Sequence, residues 1–290
     1  MTVNEGISLH YDSYGEGDPV LWIAGTGNSG QVWTKYQLPH FTDRYRCITV
    51  DLRGTGKSDS PADPPYTMRM LADDVMDLAR QLDLGPIPMV GFSMGSTIIQ
   101  EIAINAPELI SKALLLSTWT STAEEHHIRR HFEARLLAIQ EAPFNVFAAF
   151  AFWMWAPSFV DDEPERMQEI VDFFVEVSGS QPPEAYANHF IADISHDTSG
   201  RLGQITCPTH VVYGAEDLIT LPRYNKRVAA EIPGATIAEI EGGGHIAWGE
   251  RPDEVNAEIA RFLDGCGSRP RRGTGGRCSQ QRRTRFCRRR

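Results

Sequence analysis

The stretch VGFSMGS, at residues 90–96, decides how the rest of the chain is interpreted. Gly91, Ser93 and Gly95 form a G-x-S-x-G pattern at the end of the short apolar run IPMVGFS. Such a pattern can mark a sharp strand-to-helix turn that presents a nucleophilic serine. It also arises by chance in glycine-rich bends. Whether Ser93 is a nucleophile therefore depends on what the other segments of the chain supply.

Short apolar runs before and after Ser93 predict a buried parallel sheet. Four runs, PVLWIAG, RCITVDL, IPMVGFS and KALLLSTW, end at Gly25, Leu52, Ser93 and Trp119. Each run is a few residues long and stops at a glycine or polar turn, as buried parallel strands do. Between the second and third runs, apolar residues at spacings of three and four form a helical stripe after the candidate N-cap Thr67: Met68, Leu71, Val75, Leu78 and Leu82. Alternating strands and helices predict an α/β fold, with a mostly parallel central sheet flanked by helices.

The alternation stops at residue 120 and resumes near residue 205. Residues 120–204 contain helical patterns and no strand pattern. The runs PTHVVYGAED and ATIAEIEG and the closing helical pattern PDEVNAEIARFLDG then complete the chain's regular part. We therefore expect a core formed by residues 1–119 and 205–264, an inserted helical lid at 120–204, and a tail at 265–290.

The charge of the chain is unevenly distributed. The formal net charge is −10, but residues 265–290 contain ten arginines and no acidic residue, so residues 1–264 carry −20. An acidic body argues against nucleic acid as its partner. The tail lacks apolar periodicity and is typical of disorder. A functional arm, a cloning scar and a shifted reading frame explain its composition equally well, and we assign it no role.

The sequence also predicts a protein without a membrane anchor. The first residues, MTVNEGISLHYD, lack the basic and apolar regions of a secretory signal. The longest apolar segment, FNVFAAFAFWMW at 144–155, has 12 residues and is too short to span a bilayer. We therefore expect a cytoplasmic protein.

A nucleophilic serine needs a base and an acid, and the chain offers both at strand ends. A serine hydroxyl is a poor nucleophile until a base accepts its proton. His245 follows EGGG directly after the predicted strand ATIAEI, whereas His126, His127 and His131 are expected on a solvated helix face. Asp217 stands just beyond the predicted strand HVVYG. Ligands of open α/β sheets bind at the carboxyl ends of the strands, so both residues are well placed.

The acid of the site has one alternative, the adjacent Glu216. Neighbouring residues on an extended turn point in different directions, and we predict Asp217 as the acid that orients the imidazole. Its other interpretation is a turn aspartate that caps the next helix. The candidate residues then occur in the order Ser93, Asp217, His245, which distinguishes α/β-hydrolases from other Ser-His-Asp enzymes.

Four motifs together resemble those of α/β-hydrolase-fold serine hydrolases. They are GFSMG, DLRGTGKSD, YGAEDLITLP and GGGHIAWGERPDEV, and the resemblance extends over residues 7–264. Within this fold, the chain resembles esterases and 3-oxoadipate enol-lactonase-like enzymes. Relatives commonly carry His-Gly after the strand that ends near residue 25, and this chain has Ala24 in the place of the histidine. The change mildly favours the enol-lactonase group.

The resemblance also implies an oxyanion hole of two main-chain N–H groups. One is that of Met94, just after the nucleophile, where the turn enters a helix N-terminus. The other, by analogy with the family, is that of Thr26. The absence of a histidine at position 24 removes a scaffold contact and no donor, because the donor is main-chain. The alternative is that GTGNSG, at residues 25–30, is only a flexible turn.

No cofactor and no metal site are predicted. The segment GTGKSD, at residues 54–59, resembles the end of a phosphate-binding loop, but the required first glycine is replaced by Asp51. We interpret the segment as a tight turn in which Arg53 and Asp59 fix the loop. The cysteines show no spacing typical of metal ligands.

The predicted lid is rich in aromatic residues, which bears on the substrate. A surface helix buries one face on the core, so part of an all-round aromatic segment is expected to face a pocket. The candidate pocket residues are Phe147, Phe150, Trp153 and Trp155. They favour an apolar or aromatic small-molecule substrate.

The sequence thus predicts hydrolysis of a carboxylic ester or lactone through an acyl-enzyme on Ser93. Rival functions on the same fold are a C–C bond hydrolase and a cofactor-free perhydrolase. A small-molecule receptor with a retained triad is a rival from another class. Haloalkane dehalogenases and epoxide hydrolases carry aspartate at the position of the nucleophile. Because this chain has Ser93 there, both of these enzyme classes are disfavoured.

Overall fold

The fold is built on a seven-stranded sheet, seen in a computed structural model that describes residues 1–141, 152–178 and 181–265. The strand order is β1-β3-β2-β4-β5-β6-β7, with β1 antiparallel to β3 and every other pair parallel. The strands are β1 (Tyr11–Tyr14), β2 (Asp18–Ile23), β3 (Tyr45–Val50), β4 (Ile87–Phe92), β5 (Ile110–Leu116), β6 (Thr209–Gly214) and β7 (Thr236–Ile240). The predicted mostly parallel sheet is therefore confirmed.

Helices cover both faces of the sheet. They are α1 (Met68–Gln81), α2 (Met94–Asn105), α3 (His126–Glu141), α4 (Pro157–Asp162), α5 (Pro164–Ser178), α6 (Pro183–Ser195), α7 (Pro222–Glu231), α8 (Ala247–Glu250) and α9 (Pro252–Asp264). Successive residues of a strand point to opposite faces. In β2, Leu21 and Ile23 pack in one apolar core with α1 and α2, while Val20 and Trp22 pack in a second core with α3, α5 and α9. Burial on both faces explains the continuous apolar runs of the sequence.

Helix α1 begins as the sequence predicts. The side chain of Thr67 accepts a hydrogen bond from the Met70 N–H at 3.1 Å, which satisfies one of the unpaired N–H groups of the first turn. The predicted stripe residues within the helix are buried: Met68, Leu71, Val75 and Leu78. This stripe attaches α1 to the sheet.

The segment between β5 and β6 is helical in its described residues. It contains α3 to α6 and a short 3₁₀ helix at Phe152–Met154. Its two ends are joined by an isolated antiparallel bridge between Ser121 and Asp197. Its division from the core as a lid stays a prediction. The predicted pocket residues Phe147 and Phe150 lie outside the described residues, as does the tail from residue 266.

The GTGKSD segment follows β3 and is built around the protein's own carboxylate. Asp51 Oδ1 accepts hydrogen bonds from Ser29 Oγ at 2.6 Å and Gly30 N at 2.8 Å, and Oδ2 accepts one from Lys57 N at 2.9 Å. Gly56 has φ of +53°, and a Cβ there would lie 2.2 Å from Asp51 Oδ2. The carboxylate of Asp51 therefore occupies the concave side of this turn.

A buried ion pair connects this loop to α1. Arg53 donates to Asp74 from Nε at 2.5 Å and from Nη2 at 2.8 Å, and both side chains are 1% exposed. Such a bidentate pair satisfies two buried charges at once. Of the two residues predicted to fix the loop, Arg53 does so through Asp74, whereas Asp59 accepts a hydrogen bond from Ser8 N at 2.7 Å.

Replacing Asp74 with Asn should destabilise the fold strongly, because it leaves the buried Arg53 charge without a carboxylate. Removing one partner of a buried pair costs about 3–5 kcal/mol. The neighbouring Asp73 pairs with Arg69 on the exposed face of α1, so Asp73→Asn is the matched control and should cost less than about 0.5 kcal/mol. Urea unfolding of the two variants measures the difference, and equal losses would contradict the structural role of Asp74.

Candidate active site

Ser93 lies on a strained turn between β4 and α2. Its φ and ψ are +50° and −119°, a conformation that costs a non-glycine residue about 1–3 kcal/mol. A Cβ at Gly91 would lie 2.4 Å from Gly95 O, and one at Gly95 would lie 2.2 Å from Ile23 O. Both glycines of the G-x-S-x-G pattern are therefore required by close backbone contact, and the turn places Ser93 above the carboxyl end of the sheet.

The structure brings Ser93, Asp217 and His245 together. His245 Nε2 lies 3.1 Å from Ser93 Oγ, and His245 Nδ1 lies 3.0 Å from Asp217 Oδ2. Asp217 is held in turn by Ile219 N and Thr220 N, which donate to Oδ1 at 2.8 and 2.9 Å. All three candidate residues are at least 95% buried. The arrangement forms a continuous hydrogen-bonded line from carboxylate to imidazole to hydroxyl.

Glu216, the alternative acid, faces the inserted segment. Its carboxylate accepts hydrogen bonds from Ser158 N at 3.1 Å and from Ser158 Oγ at 2.5 Å. The adjacent acids therefore have separate partners: Asp217 contacts the imidazole, and Glu216 contacts the residue that follows the start of α4.

The loop that carries His245 is fixed by Glu250, a residue that the sequence analysis missed. Glu250 accepts hydrogen bonds from the N–H groups of Gly244 and of Ala156, the latter at 2.8 Å. Burial raises the pKa of Glu250 to about 7, while the two N–H groups favour its ionised form. Ser117 Oγ also donates to the His245 carbonyl at 3.0 Å. The imidazole thus projects from a loop held on both sides.

The prediction that His131 lies on a solvated helix face is wrong. His126 and His127 are exposed, but His131 is only 7% exposed. It lies one turn after His127 on α3, and the centroid of its ring is 6.2 Å from that of the Trp153 ring. Burial holds the pKa of His131 well below its usual value. The Trp153 ring lies against the end of α3 that carries His127 and His131.

The two predicted oxyanion donors occur at the rim of the Ser93 turn. Met94 is the first residue of α2, and a Cβ at Gly25, which precedes Thr26, would lie 3.2 Å from Ser93 Cβ. Within the described part of the chain, neither the Met94 N–H nor the Thr26 N–H donates a hydrogen bond to another protein group. The role of these two N–H groups as oxyanion donors stays a prediction.

The Thr26 loop contacts two buried residues of α6 that the sequence analysis also missed. Thr26 Oγ1 donates to Asp193 Oδ2 at 2.7 Å, and Gly27 N donates to His189 Nδ1 at 3.0 Å. Burial raises the pKa of Asp193 to about 8, although the Thr26 hydrogen bond and the charge of Arg135 on α3 lower it. Only the i, i+4 spacing of His189 and Asp193 marks them in the sequence, and this spacing is common in helices.

Trp153 and Trp155, both predicted to line a pocket, have different environments. Trp153 is 40% exposed, with its ring 6.3 Å from that of His127 and 6.2 Å from that of His131. Trp155 is buried and stacks on Phe159 at 5.8 Å between ring centroids. Only Trp153 therefore borders solvent.

Neither a metal cluster nor a membrane span occurs in the described residues. Across residues 1–141, 152–178 and 181–265, no three His, Cys, Asp or Glu side chains are grouped so that they could hold a metal ion. In the same ranges, every helix is too short or too polar to cross a bilayer.

Comparisons with known proteins agree with this geometry. The family described as alpha/beta hydrolase fold matches residues 18–252. The chain is 31% identical over 260 residues to the Mycobacterium tuberculosis protein named "Putative non-heme bromoperoxidase BpoC", covering 89% of this chain and 98% of that one. It is 26% identical over 270 residues to "Putative carbamate hydrolase RutD" of Caulobacter vibrioides, covering 91% and 98%. The structure of an enol-lactonase from Burkholderia xenovorans superposes with a TM-score of 0.79 at 25% identity, covering 91% of this chain and 99% of that one.

Asp193 should make stability depend on pH. Because its pKa in the folded protein is raised to about 8, the folded state keeps a proton that the unfolded chain releases from about pH 4 upward. Stability is therefore lost as the pH rises between these values. Asp193→Asn removes this loss and keeps an oxygen for Thr26. At roughly 1.4 kcal/mol per pH unit over about three units, and about 2 °C per kcal/mol, its melting temperature relative to wild type should be on the order of 8 °C higher at pH 8 than at pH 5.

The control for this measurement is Asp161→Asn, which changes an exposed carboxylate on α4. Its melting temperature relative to wild type should be the same at both pH values. A pH-independent difference for Asp193→Asn would contradict a buried, protonated Asp193.

Proposed function

The chain belongs to the α/β hydrolase fold family, and from this we propose that it is a serine hydrolase that cleaves a carboxylic ester or lactone of an apolar or aromatic small molecule. The observation that carries the proposal is the hydrogen-bonded line from Asp217 through His245 to Ser93. This line ends on a strained turn beside two unpaired N–H groups. A nucleophile, a base, an orienting acid and an electrophilic site are the parts that acyl transfer requires.

In the proposed first step, Ser93 Oγ attacks the carbonyl carbon and its proton passes to His245 Nε2. The Nδ1 hydrogen of His245 stays directed at Asp217, whose carboxylate stabilises the imidazolium. The carbonyl π electrons move to the oxygen, which becomes the oxyanion of a tetrahedral intermediate. The N–H groups of Met94 and Thr26 donate hydrogen bonds to this oxygen.

In the proposed second step, the intermediate collapses and the bond to the leaving oxygen breaks. His245 returns its proton to that oxygen, which leaves as an alcohol or stays attached as the opened lactone. Water then loses a proton to His245 and attacks the acyl-enzyme. A second tetrahedral intermediate collapses, the carboxylic acid leaves, and Ser93 Oγ regains its proton from His245.

The preference for apolar or aromatic substrates is supported by rings beside the Thr26 loop. Tyr186 contacts Gly27 closely, since a Cβ at Gly27 would lie 2.1 Å from its ring. Phe190 packs against Tyr186 at 5.1 Å between centroids, and Trp153 borders solvent near His131. Apolar and aromatic walls with a few polar groups are typical of small-molecule pockets. The predicted contribution of Phe147, Phe150 and Trp155 to this pocket remains a proposal.

A second candidate is a cofactor-free perhydrolase on the same residues. It is favoured by the bromoperoxidase name of a relative that is 31% identical, because a peroxidase consumes peroxide. Peroxide would replace water in the attack on the acyl-enzyme, and the product would be a peracid.

Other functions are possible on the same residues. A carbamate substrate, suggested by the name of another relative, would be attacked by Ser93 in the same way, and so would the substrate of a C–C bond hydrolase. A receptor would bind its ligand with negligible turnover.

Ser93→Ala should remove activity and leave the fold intact. The hydroxyl is the reacting atom, and loss of a catalytic serine typically lowers turnover by about 10⁶. A fluorophosphonate should add to one site of the wild-type protein, which intact-mass measurement and peptide mapping would locate at Ser93. The variant should melt as wild type does. Labelling elsewhere, or aryl-ester turnover by Ser93→Ala, would contradict the proposal.

The adjacent acids provide a second test. Asp217→Asn replaces the acceptor of the His245 Nδ1 hydrogen and should lower kcat by about 10⁴, because the imidazole is then held in the wrong tautomer. Glu216→Gln changes the neighbouring carboxylate, which contacts Ser158, and should lower kcat by less than about tenfold. Steady-state hydrolysis of an aryl ester measures both. Equal losses would show that Asp217 is not the orienting acid.

A further inference from the structure

The buried ring of His189 connects two loops. Its Nδ1 accepts from Gly27 N at 3.0 Å, so its ring hydrogen is on Nε2, which donates to the Arg53 carbonyl at 2.8 Å. Burial lowers the pKa of His189 to about 4, so the ring is neutral near pH 7 and Nδ1 keeps its lone pair. A neutral ring can serve as donor and acceptor at the same time. His189 therefore links the 25–30 loop to the loop that follows β3.

Asp193 lies one helical turn further along α6 and contacts the preceding residue of the same loop. Its Oδ2 accepts from Thr26 Oγ1 at 2.7 Å, and its side chain is fully buried. Residues at i and i+4 share one face of a helix. Two adjacent loop residues, Thr26 and Gly27, are thus bound by two side chains of one helical face.

The loop lies directly on α6. Gly27 has φ of +71°, and a Cβ there would lie 2.1 Å from the Tyr186 ring. Within the loop, Asn28 N donates to Gly25 O at 3.0 Å, which closes a tight turn around residues 26 and 27. The sheet side of the loop is anchored by Asp51 through Ser29 and Gly30. The part that contains the Thr26 N–H is anchored by the inserted segment.

We propose that His189 and Asp193 are positioning residues of the oxyanion hole, which hold the Thr26 main-chain N–H toward the oxygen that forms above Ser93. The inference rests on the proposed function, since it concerns a donor that acts only during acyl transfer. It places half of the oxyanion hole under the control of α6, outside the sheet that carries Ser93.

This role has a kinetic signature. A hydrogen bond to the oxyanion is strongest in the transition state, so its loss lowers kcat more than it raises KM. Removing an oxyanion donor costs about 10²–10³ in kcat. Because the substitutions below displace the donor and do not remove it, we expect a decrease of roughly 10- to 100-fold.

Two substitutions of His189 separate its two hydrogen bonds. In His189→Asn, the amide oxygen reaches the position of Nδ1 and can accept from Gly27 N. In His189→Gln, the longer amide reaches the position of Nε2 and can donate to Arg53 O, but nothing accepts from Gly27 N. We expect kcat for an aryl ester to decrease by roughly 10- to 100-fold in His189→Gln, with KM changed less than about threefold, and to stay within about threefold of wild type in His189→Asn.

A substitution of Thr26 tests the second contact and applies even if a His189 variant fails to fold. Thr26→Val removes the hydroxyl that donates to Asp193 and leaves the main-chain N–H in place, so kcat should decrease by about tenfold at nearly constant KM. Thr26→Ser keeps the hydroxyl, so its kcat should be close to that of the wild type. Melting temperatures of all variants report whether the fold is retained.

The outcomes separate the two proposals. Turnover that is abolished by Ser93→Ala but unchanged in both His189→Gln and Thr26→Val would overturn the positioning role and leave the proposed function standing. Equal decreases in His189→Gln and His189→Asn, or a rise in KM without a loss in kcat, would also overturn it. Turnover that does not depend on Ser93 would overturn the proposed function and the positioning role with it.

Discussion

The site depends on the close approach of the Ser93 turn to the end of β2. Gly95 lies so near the carbonyl of Ile23 that a Cβ would come within 2.2 Å of it, and this contact sets the turn at the edge of the sheet. A similar contact occurs at the end of β6, two strands from β4, where a Cβ at Gly214 would lie 2.2 Å from the Gly243 carbonyl. Parallel pairing places the carboxyl ends of these strands at one edge. Loops that cross so closely have little freedom, and the three candidate residues meet there.

Buried carboxylates then fix each of these loops. Asp51 accepts main-chain hydrogen bonds from Gly30, in the 25–30 loop, and from Lys57, in its own turn. Asp217 accepts them from the residues that follow it, and Glu250 accepts one from the loop before His245. A carboxylate that receives several N–H groups holds irregular backbone in one geometry, which the sheet ladder cannot do. Because a buried unpaired carboxylate is costly, the loop and its acid are stable only together. Asp217 and Glu250 thus fix the loops of Asp217 and His245, while the Ser93 turn is fixed by its close glycine contacts.

The sequence signals that succeeded are local, and those that failed are tertiary. Apolar runs and the Thr67 cap reflect constraints between residues near in the chain, so the sheet and α1 could be predicted. The turn could be predicted from the G-x-S-x-G pattern, although the contact that requires Gly95 is to the distant Ile23. The burial of His131 could not be predicted, because it depends on how the residues around Trp153 pack against α3. Three further site residues could not be predicted because each has a partner far away in the chain. His189 is 162 residues from Gly27, Asp193 is 167 from Thr26, and Glu250 is 94 from Ala156.

The segment between β5 and β6 is hydrogen-bonded to the parts of the site near Asp217, His245 and Thr26. Ser158 contacts Glu216 beside Asp217, Ala156 contacts Glu250 beside the His245 loop, and α6 contacts Thr26 and Gly27. These contacts are hydrogen bonds to buried or half-buried groups, so displacing the whole segment would leave several of them unsatisfied at once. Loss of α6 alone would leave His189 and Asp193 without their partners in the Thr26 loop. The sheet and its own loops thus account for the meeting of Ser93, His245 and Asp217, while the position of the Thr26 loop also depends on contacts from α6.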